Sequence, residues 1–316
     1  MKPLYRNIKK VLWILVLLFT IMNVVAAFHA YKFTHFEDGK GVKTGPPKKL
    51  PALARIKTLL FGINNPRPAN RQHPSQKYEV VRLRSNKEIE CWSIKTAASK
   101  GTVIIFHGYS GAKSGMLAKS GWFLKQGFNV LLVDFMGSGG SEGNQTTIGY
   151  KESEEVRSAF SYVVEHGEKR VILFGTSMGA VAIMKAINDY ALAPERIIIE
   201  CPFGSLYQTT CARFKNMHVP AFPLAGFLVF WGGVENGFWA FNHVPAAYAG
   251  KIRCPTMLIY GAKDDRVSRG ETDEIFANLD GPKELRVFPL AGHDNYWIKH
   301  KTEWQAEVGK FISAKN

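Results

Sequence analysis

The stretch from Arg170 to Tyr190, RVILFGTSMGAVAIMKAINDY, constrains this chain more than any other. An apolar run, Val171 to Phe174, ends at Gly175-Thr176-Ser177-Met178-Gly179, and a helix-forming run follows at once. Strand, sharp turn and helix in that order lift a serine hydroxyl to the top edge of a sheet. The turn is strained and tightly packed, so a side chain at Gly175 or Gly179 would collide with neighbouring backbone. The same G-x-S-x-G spacing recurs at Gly139-Gly140-Ser141-Glu142-Gly143, but polar NQTT follows it instead of a helix. Ser177 is therefore the nucleophile candidate, and Ser141 reads as an ordinary loop serine.

Around that stretch, apolar strands alternate with helix-forming segments. Glu79–Arg84 and Glu88–Lys95 read as an antiparallel hairpin about Ser85-Asn86-Lys87. Then come strand Thr102–Phe106, a helix near Ser114–Gln126, strand Asn129–Val133, a helix near Lys151–His166, the central stretch, and strand Arg196–Ile199. After an interruption follow strand Thr256–Tyr260, a helix near Arg269–Asn278, strand Leu285–Pro289 and a final helix near Lys299–Ser313. Near-continuous apolar strands separated by helices predict an α/β fold, with a mostly parallel sheet covered on both faces. That makes residues 78–316 one catalytic unit. The interruption, residues 202–250, carries VPAFPLAGFLVFWGG and NGFWAFNHVP, too broken by Pro and Gly for a spanning helix. An insertion there sits over the C-terminal ends of the strands, where such sheets bind ligands, and reads as a lid with an apolar inner face. A packed helical excursion with no part in binding is the alternative.

The N-terminus has a different character. Val11 to Phe28 is 18 residues without a charge, preceded by Lys2, Arg6, Lys9 and Lys10. As a helix it spans about 27 Å, enough for a bilayer core. An uncleaved membrane anchor over residues 1–30 is favoured over a signal peptide cut near Val25-Ala26-Ala27. Lysines also follow the segment, so orientation is weakly set; a short tail inside with the body on the non-cytoplasmic face is the expectation. Residues 31–77 read as a basic Pro/Gly-rich linker, with either a short amphipathic helix at Lys49–Phe61 or solvated chain. The formal charge of +15 belongs to this arm. Residues 1–75 hold thirteen Lys/Arg against Glu37 and Asp38, a balance of +11, leaving +4 for the other 241 residues. Without a basic stripe interleaved with aromatics in the body, attraction to anionic lipid outranks nucleic acid. At 46% hydrophobic and 21% charged, the chain has globular composition. Cys91, Cys201, Cys211 and Cys254 lack C-x-x-C spacing, so no metal or redox site is expected; Cys201 and Cys211 are either a disulfide or buried free thiols.

A serine nucleophile needs a base, and the base needs an acid to fix its tautomer. On this type of sheet the order is serine, acid, histidine. His218 and His243 fall in the lid and His300 in the final helix, where exposure is expected, but His293 stands in Ala291-Gly292-His293-Asp294 right after the last strand. His293 is the base, with Asp294 shaping its loop. Thr256–Tyr260 ends at Gly261-Ala262-Lys263-Asp264-Asp265-Arg266-Val267; the spacing selects Asp264 as acid, with Asp265 in reserve. Developing negative charge on a substrate oxygen needs fixed N–H donors. The backbone of Met178 supplies one, and the loop His107-Gly108-Tyr109-Ser110-Gly111 supplies the other at Tyr109. His107 itself reads as structural.

HGYSG, VDFMGSGGSEG, GTSMGA, GAKDDRV and AGHDN, in this order, resemble the serine hydrolases of the α/β-hydrolase superfamily over roughly Tyr78 to Ile312. The resemblance is greatest to members with a membrane-anchoring N-terminus and a compact lid. It implies a Ser177, Asp264, His293 triad, no cofactor, and ester, thioester or, less often, amide substrates. One departure is Met136, where many relatives carry a structural arginine. The expected function is a membrane-anchored serine hydrolase of acyl or lipid-like esters or thioesters working through an acyl-enzyme, with small-molecule and membrane partners and no nucleic acid. The alternatives are a peptidase on the same fold, for which Glu200 is a positional candidate to hold a substrate amino group, and a non-catalytic binding protein.

Overall fold

The computed structural model describes residues 2–39, 41–45, 50–293 and 296–314; Asp294 lies outside them. Its strands are β1 (Glu79–Arg84), β2 (Glu88–Ile94), β3 (Thr102–Phe106), β4 (Asn129–Val133), β5 (Val171–Thr176), β6 (Arg196–Glu200), β7 (Thr256–Gly261) and β8 (Lys283–Phe288). They form a single sheet in the order β1-β2-β4-β3-β5-β6-β7-β8. Strand β2 runs antiparallel to both its neighbours, and every other neighbouring pair after it is parallel. The hairpin thus leads into a parallel sheet, as its sequence predicts. Strands β3 and β6 are buried at every residue, which explains their unbroken apolar runs.

Helices α3 (Leu117–Lys125), α4 (Glu152–Glu165), α5 (Met178–Tyr190), α9 (Arg269–Asn278) and α11 (Lys301–Ser313) cover the two faces. Val156, Ala159, Ile183, Ile187 and Ile275 pack on one face; Trp122, Phe123, Trp304, Val308 and Phe311 pack on the other. Each large aliphatic or phenylalanine side chain here, fully removed from water, contributes about 1.5–3 kcal/mol. Strand β8 begins and ends earlier than Leu285–Pro289. It is an edge strand, half-buried up to Val287, so only Phe288 carries a full apolar signal. His300 is not exposed in the last helix: it precedes α11, after the short α10 (Tyr296–Lys299), and its ring packs at 5.4 Å against Phe288.

The insertion is helical, with α6 (Leu206–Asn216), α7 (Leu224–Asn236) and α8 (Pro245–Tyr248) laid across the strand ends. The N-terminal helix, α1, runs from Lys2 to Thr34. At a 1.5 Å rise its 33 residues reach about 50 Å. It is the one described helix long and apolar enough to cross a membrane. Leu12 through Phe19 are exposed, whereas Ala26 and Ala30 are buried beneath α7. The Cβ of Ala30 lies 4.0 Å from where a side chain on Gly232 would begin, so small residues let the two helices approach. Asn23, the strongly polar residue of the apolar run, accepts a hydrogen bond from Trp231 Nε1 at 3.0 Å.

Residues 31–77 are not simply a solvated linker. Helix α2 (Ala52–Phe61) forms in its middle, and both ends dock on the catalytic unit. Phe36 is 3% exposed and Asn65 1%. Thr146 N donates to Thr34 O at 2.8 Å, Glu37 N to Asn65 O at 2.9 Å, and Gly139 N to Pro68 O at 2.8 Å. An extended Pro-rich segment has backbone groups to satisfy, and here the loop after β4 supplies the partners. Packing therefore does not follow the expected boundary at 77/78.

Candidate active site

Ser177 sits between β5 and α5 with φ 52° and ψ −113°, a left-handed backbone that a non-glycine residue adopts only under constraint. The constraint is close packing. A Cβ on Gly175 would lie 2.6 Å from Ala180 N, and one on Gly179 would lie 2.6 Å from Phe106 O. Ser177 Oγ is 2.9 Å from His293 Nε2, and His293 Nδ1 is 2.8 Å from Asp264 Oδ2. Asp264 is fixed in turn, because Oδ1 accepts from the backbone N–H of Arg266 at 2.8 Å and of Val267 at 3.0 Å. The reserve, Asp265, is exposed and takes no place in this line. The sheet brings together three residues spread over 117 positions because β5, β7 and β8 end at one edge.

Gly108 and Tyr109 leave β3 beside the serine; a Cβ on Gly108 would be 3.2 Å from Thr176 O and 3.6 Å from Ser177 Cβ. The Tyr109 side chain is pinned from behind. Its hydroxyl donates to Phe33 O at 2.8 Å and accepts from Asn65 Nδ2 at 3.0 Å, and its ring stacks on Phe33 at 4.6 Å. His107 accepts from Phe135 N at 3.1 Å and is buried among neighbours, a structural residue. Burial lowers its pKa, so the ring is held neutral, as that acceptor role requires.

Burial also pulls the His293 pKa down, but the adjacent Cys201 sulfur and the Asp264 carboxylate push it up, and the balance is upward. Cys201 is a residue that sequence reasoning missed. It follows β6 at φ 41°, is 1% exposed, and its Sγ lies 3.9 Å from His293 O. All four cysteines are free thiols, so Cys201 and Cys211 are not bridged. Metal-ligating atoms of Cys201, Asp264 and His293 fall within 4.8 Å of one another. Both ring nitrogens of His293 are already engaged, Nε2 by Ser177 and Nδ1 by Asp264.

The serine and histidine open into a cavity of about 80 Å³. Phe203, Leu206, Leu228, Val229 and Phe238 from the insertion line it, matching a lid with an apolar inner face. Two contributors were not legible as such. Ala30, Phe33 and Thr34 bring the end of α1 into the wall, and Arg213 enters from α6. The spacing Leu206, Thr209, Thr210, Arg213 puts one stripe of α6 toward the pocket, and that period is the signal that could have found it. Glu200 is unavailable to substrate. Its carboxylate is fully buried and accepts from Lys119 Nζ at 2.6 Å, Thr176 Oγ1 at 2.7 Å and Trp304 Nε1 at 2.7 Å. Ser141 is likewise structural, bridging Glu90 N at 2.8 Å and Asp134 O at 2.7 Å.

Comparison with known proteins agrees with this architecture. A family model described as serine aminopeptidase, S33, matches residues 97–228. The uncharacterized protein YqkD of Bacillus subtilis is 25% identical over 72% of this chain and 76% of its own length. An uncharacterized membrane protein of Saccharomyces cerevisiae is 23% identical over 73% of this chain and 79% of its own. Among solved structures, the Pyrococcus furiosus esterase Pf2001 superimposes with a TM-score of 0.66 at 26% identity, covering 79% of this chain and 96% of that one. An esterase from Exiguobacterium antarcticum shares the fold, with a TM-score of 0.57 over 75% of this chain and all of its own, at 15% identity. Sheet order, strained serine turn and these likenesses together place the chain in the α/β-hydrolase superfamily, as a hydrolase.

Proposed function

We propose that the protein is a membrane-anchored serine hydrolase that cleaves ester or thioester bonds of acyl, lipid-like substrates. The observation that carries this reading is the hydrogen-bonded line from Asp264 through His293 to Ser177, ending in a pocket walled by apolar side chains. His293 Nε2 takes the Ser177 proton as Oγ attacks the substrate carbonyl carbon. The oxyanion is met by the backbone N–H groups of Met178 and Tyr109, neither of which has an acceptor among the described residues. As the tetrahedral centre collapses, the imidazolium gives its proton to the departing alkoxide or thiolate. Water, deprotonated by His293, then attacks the acyl-enzyme and frees the carboxylic acid and Ser177.

Residues 11–28 serve as the anchor, with the catalytic unit on the non-cytoplasmic face. Retention of the helix is supported by its packing. Cleavage near Ala27 would remove Asn23 and Ala26 from beneath α7 and cut Phe33 and Thr34 loose from the membrane. A peptidase reading has the family model's name in its favour. Against it, the substrate pocket is lined by Arg213 and Arg266, which repel an amino terminus, and the positional candidate Glu200 is buried and fully bonded.

The test is hydrolysis of acyl esters and thioesters of graded chain length beside aminoacyl amides, by the detergent-solubilised full chain. Ester turnover that rises with chain length and drops at least about 10³-fold in Ser177→Ala is expected. Preference for aminoacyl amides, or undiminished turnover in Ser177→Ala, would contradict the reading.

A further inference from the structure

Arg213 and Arg266 line one side of the pocket, with Lys43 near them, and none of the three has an ion-pair partner among the described residues. Arg213 projects from α6 and Arg266 from the loop after β7, and both line the space that holds Ser177 and His293. Lys43, from the N-terminal arm, lies 5.8 Å from the centre of the Tyr109 ring. Arg213 Cζ lies 5.8 Å from the same ring and 4.6 Å from that of Phe33. Both rings lie within cation–π reach of the guanidinium. Among the described residues, no acceptor meets any side-chain N–H of the half-buried Arg213 or Arg266, whereas the fully buried cations of the body each have one. Lys113, for example, meets Glu90 at 2.8 Å, and Lys119 meets Glu200 at 2.6 Å.

The cations act on one another. Burial lowers the Arg213 pKa to about 10, the Tyr109 hydroxyl opposes this, and Arg266 adds to the lowering. The pKa of Lys43, whose side chain reaches the surface, is lowered too, by partial desolvation and then by Arg266 and Arg213. Unbalanced like charges beside an apolar wall are costly unless something arrives to neutralise them. An arginine fork offers paired donors that fit a phosphate group, two forks match its double charge, and the lysine adds a further cation beside them.

We infer that Arg213, Arg266 and Lys43 form a subsite for a phosphate group carried by the substrate, beside the carbonyl that Ser177 attacks. The ligand class is an acyl ester or thioester with a phosphorylated leaving group, its chain against Phe203, Leu228 and Val229 and its phosphate against the two arginines. This inference rests on the hydrolase reading and narrows it, since neutral acylglycerols lack the group the cations would hold.

The experiment compares kcat/KM of the full chain, in non-ionic detergent, for a monoacylglycerol and for the same acylglycerol bearing a 3-phosphate. Wild type should favour the phosphate ester about tenfold or more, chiefly through KM. Arg213→Met and Arg266→Gln should each erase most of that preference, and Arg213→Lys should keep more of it than Arg213→Met. Equal kcat/KM for the two substrates in wild type, or a preference unmoved by both charge-removing variants, would overturn the subsite. Should Arg213→Met fail to fold, Arg266→Gln is read together with protection of wild-type Ser177 from a fluorophosphonate by dodecyl phosphate and by dodecanol. Stronger protection by the phosphate is expected, and equal protection contradicts the subsite. Inorganic phosphate is run alongside. Protection by it at the same concentration would mean a free-anion site, and the substrate-linked subsite would fall. Hydrolysis of the neutral ester without any phosphate preference rejects the subsite alone. No labelling and no hydrolysis of either ester rejects the hydrolase reading and the subsite with it.

Discussion

At the scale of single residues, the site was legible wherever a functional side chain follows an apolar strand. Ser177, Asp264 and His293 each sit within a few positions of β5, β7 or β8, and chain order separates their roles. Cys201 also follows a strand, yet a lone cysteine carries no sequence signal for what lies beside it. It proves to neighbour His293, and that has a measurable consequence. Only neutral imidazole can take the serine proton, and the His293 pKa is raised above its ordinary 6.5. The acid limb of kcat/KM against pH should therefore have its midpoint above 6.5, with activity gained as pH rises through it. A limb at or below 6.5 would contradict this account. The Met136 departure has a local consequence too. Glu155 meets no cation among the described residues; its Oε2 accepts from Met136 N at 2.9 Å, while Oε1 has no described partner. Burial, with Glu152 nearby, holds its carboxyl well above the usual range.

At the scale of elements, α1 is the instructive case. Its apolar run reads from sequence as a bilayer span, and nothing in such a run tells which residues meet lipid and which meet protein. In the structure its last third packs on α7 through Ala26 and Ala30, and its end walls the pocket at Phe33 and Thr34. The reciprocal signal is the Gly232-Gly233 pair in α7, which only makes sense once a partner helix is known. Ala30→Leu should force the two helices apart and lower stability by about 1–3 kcal/mol. The check is a thermal melt of the solubilised full chain beside wild type; an unchanged Tm would mean the α1–α7 packing is not part of the stable fold. Tyr109 carries the same coupling inward, since its backbone lies at the serine while its side chain grips Phe33 and Asn65.

At the scale of the molecule, a mostly parallel sheet covered on both faces followed from the alternation, while the order of its strands and the docking of residues 31–77 did not. Pro-rich basic sequence has no period from which a packing face can be read. Burial of polar groups likewise becomes visible only in three dimensions. His243, read as a lid histidine, is fully buried, with Nε2 3.0 Å from Ile148 O and Nδ1 3.1 Å from the Tyr248 hydroxyl. Burial pushes its pKa down to about 4. The unfolded chain takes a proton there near 6.5 and the folded chain only near 4, so stability should fall as pH drops through that window. The loss is on the order of 3 kcal/mol from this group by pH 4. Denaturant titrations at pH 7 and pH 4.5, wild type beside His243→Gln, check it; an equal acid loss in both would contradict the assignment. The central claim, that Ser177 is activated by His293 and Asp264, is tested most directly by fluorophosphonate labelling of the full chain with the modified peptide located by mass spectrometry. The account predicts one adduct, on Ser177, abolished in Ser177→Ala and strongly slowed in His293→Ala. An adduct on another residue, or a folded wild-type protein that takes no label with or without lipid, would contradict it.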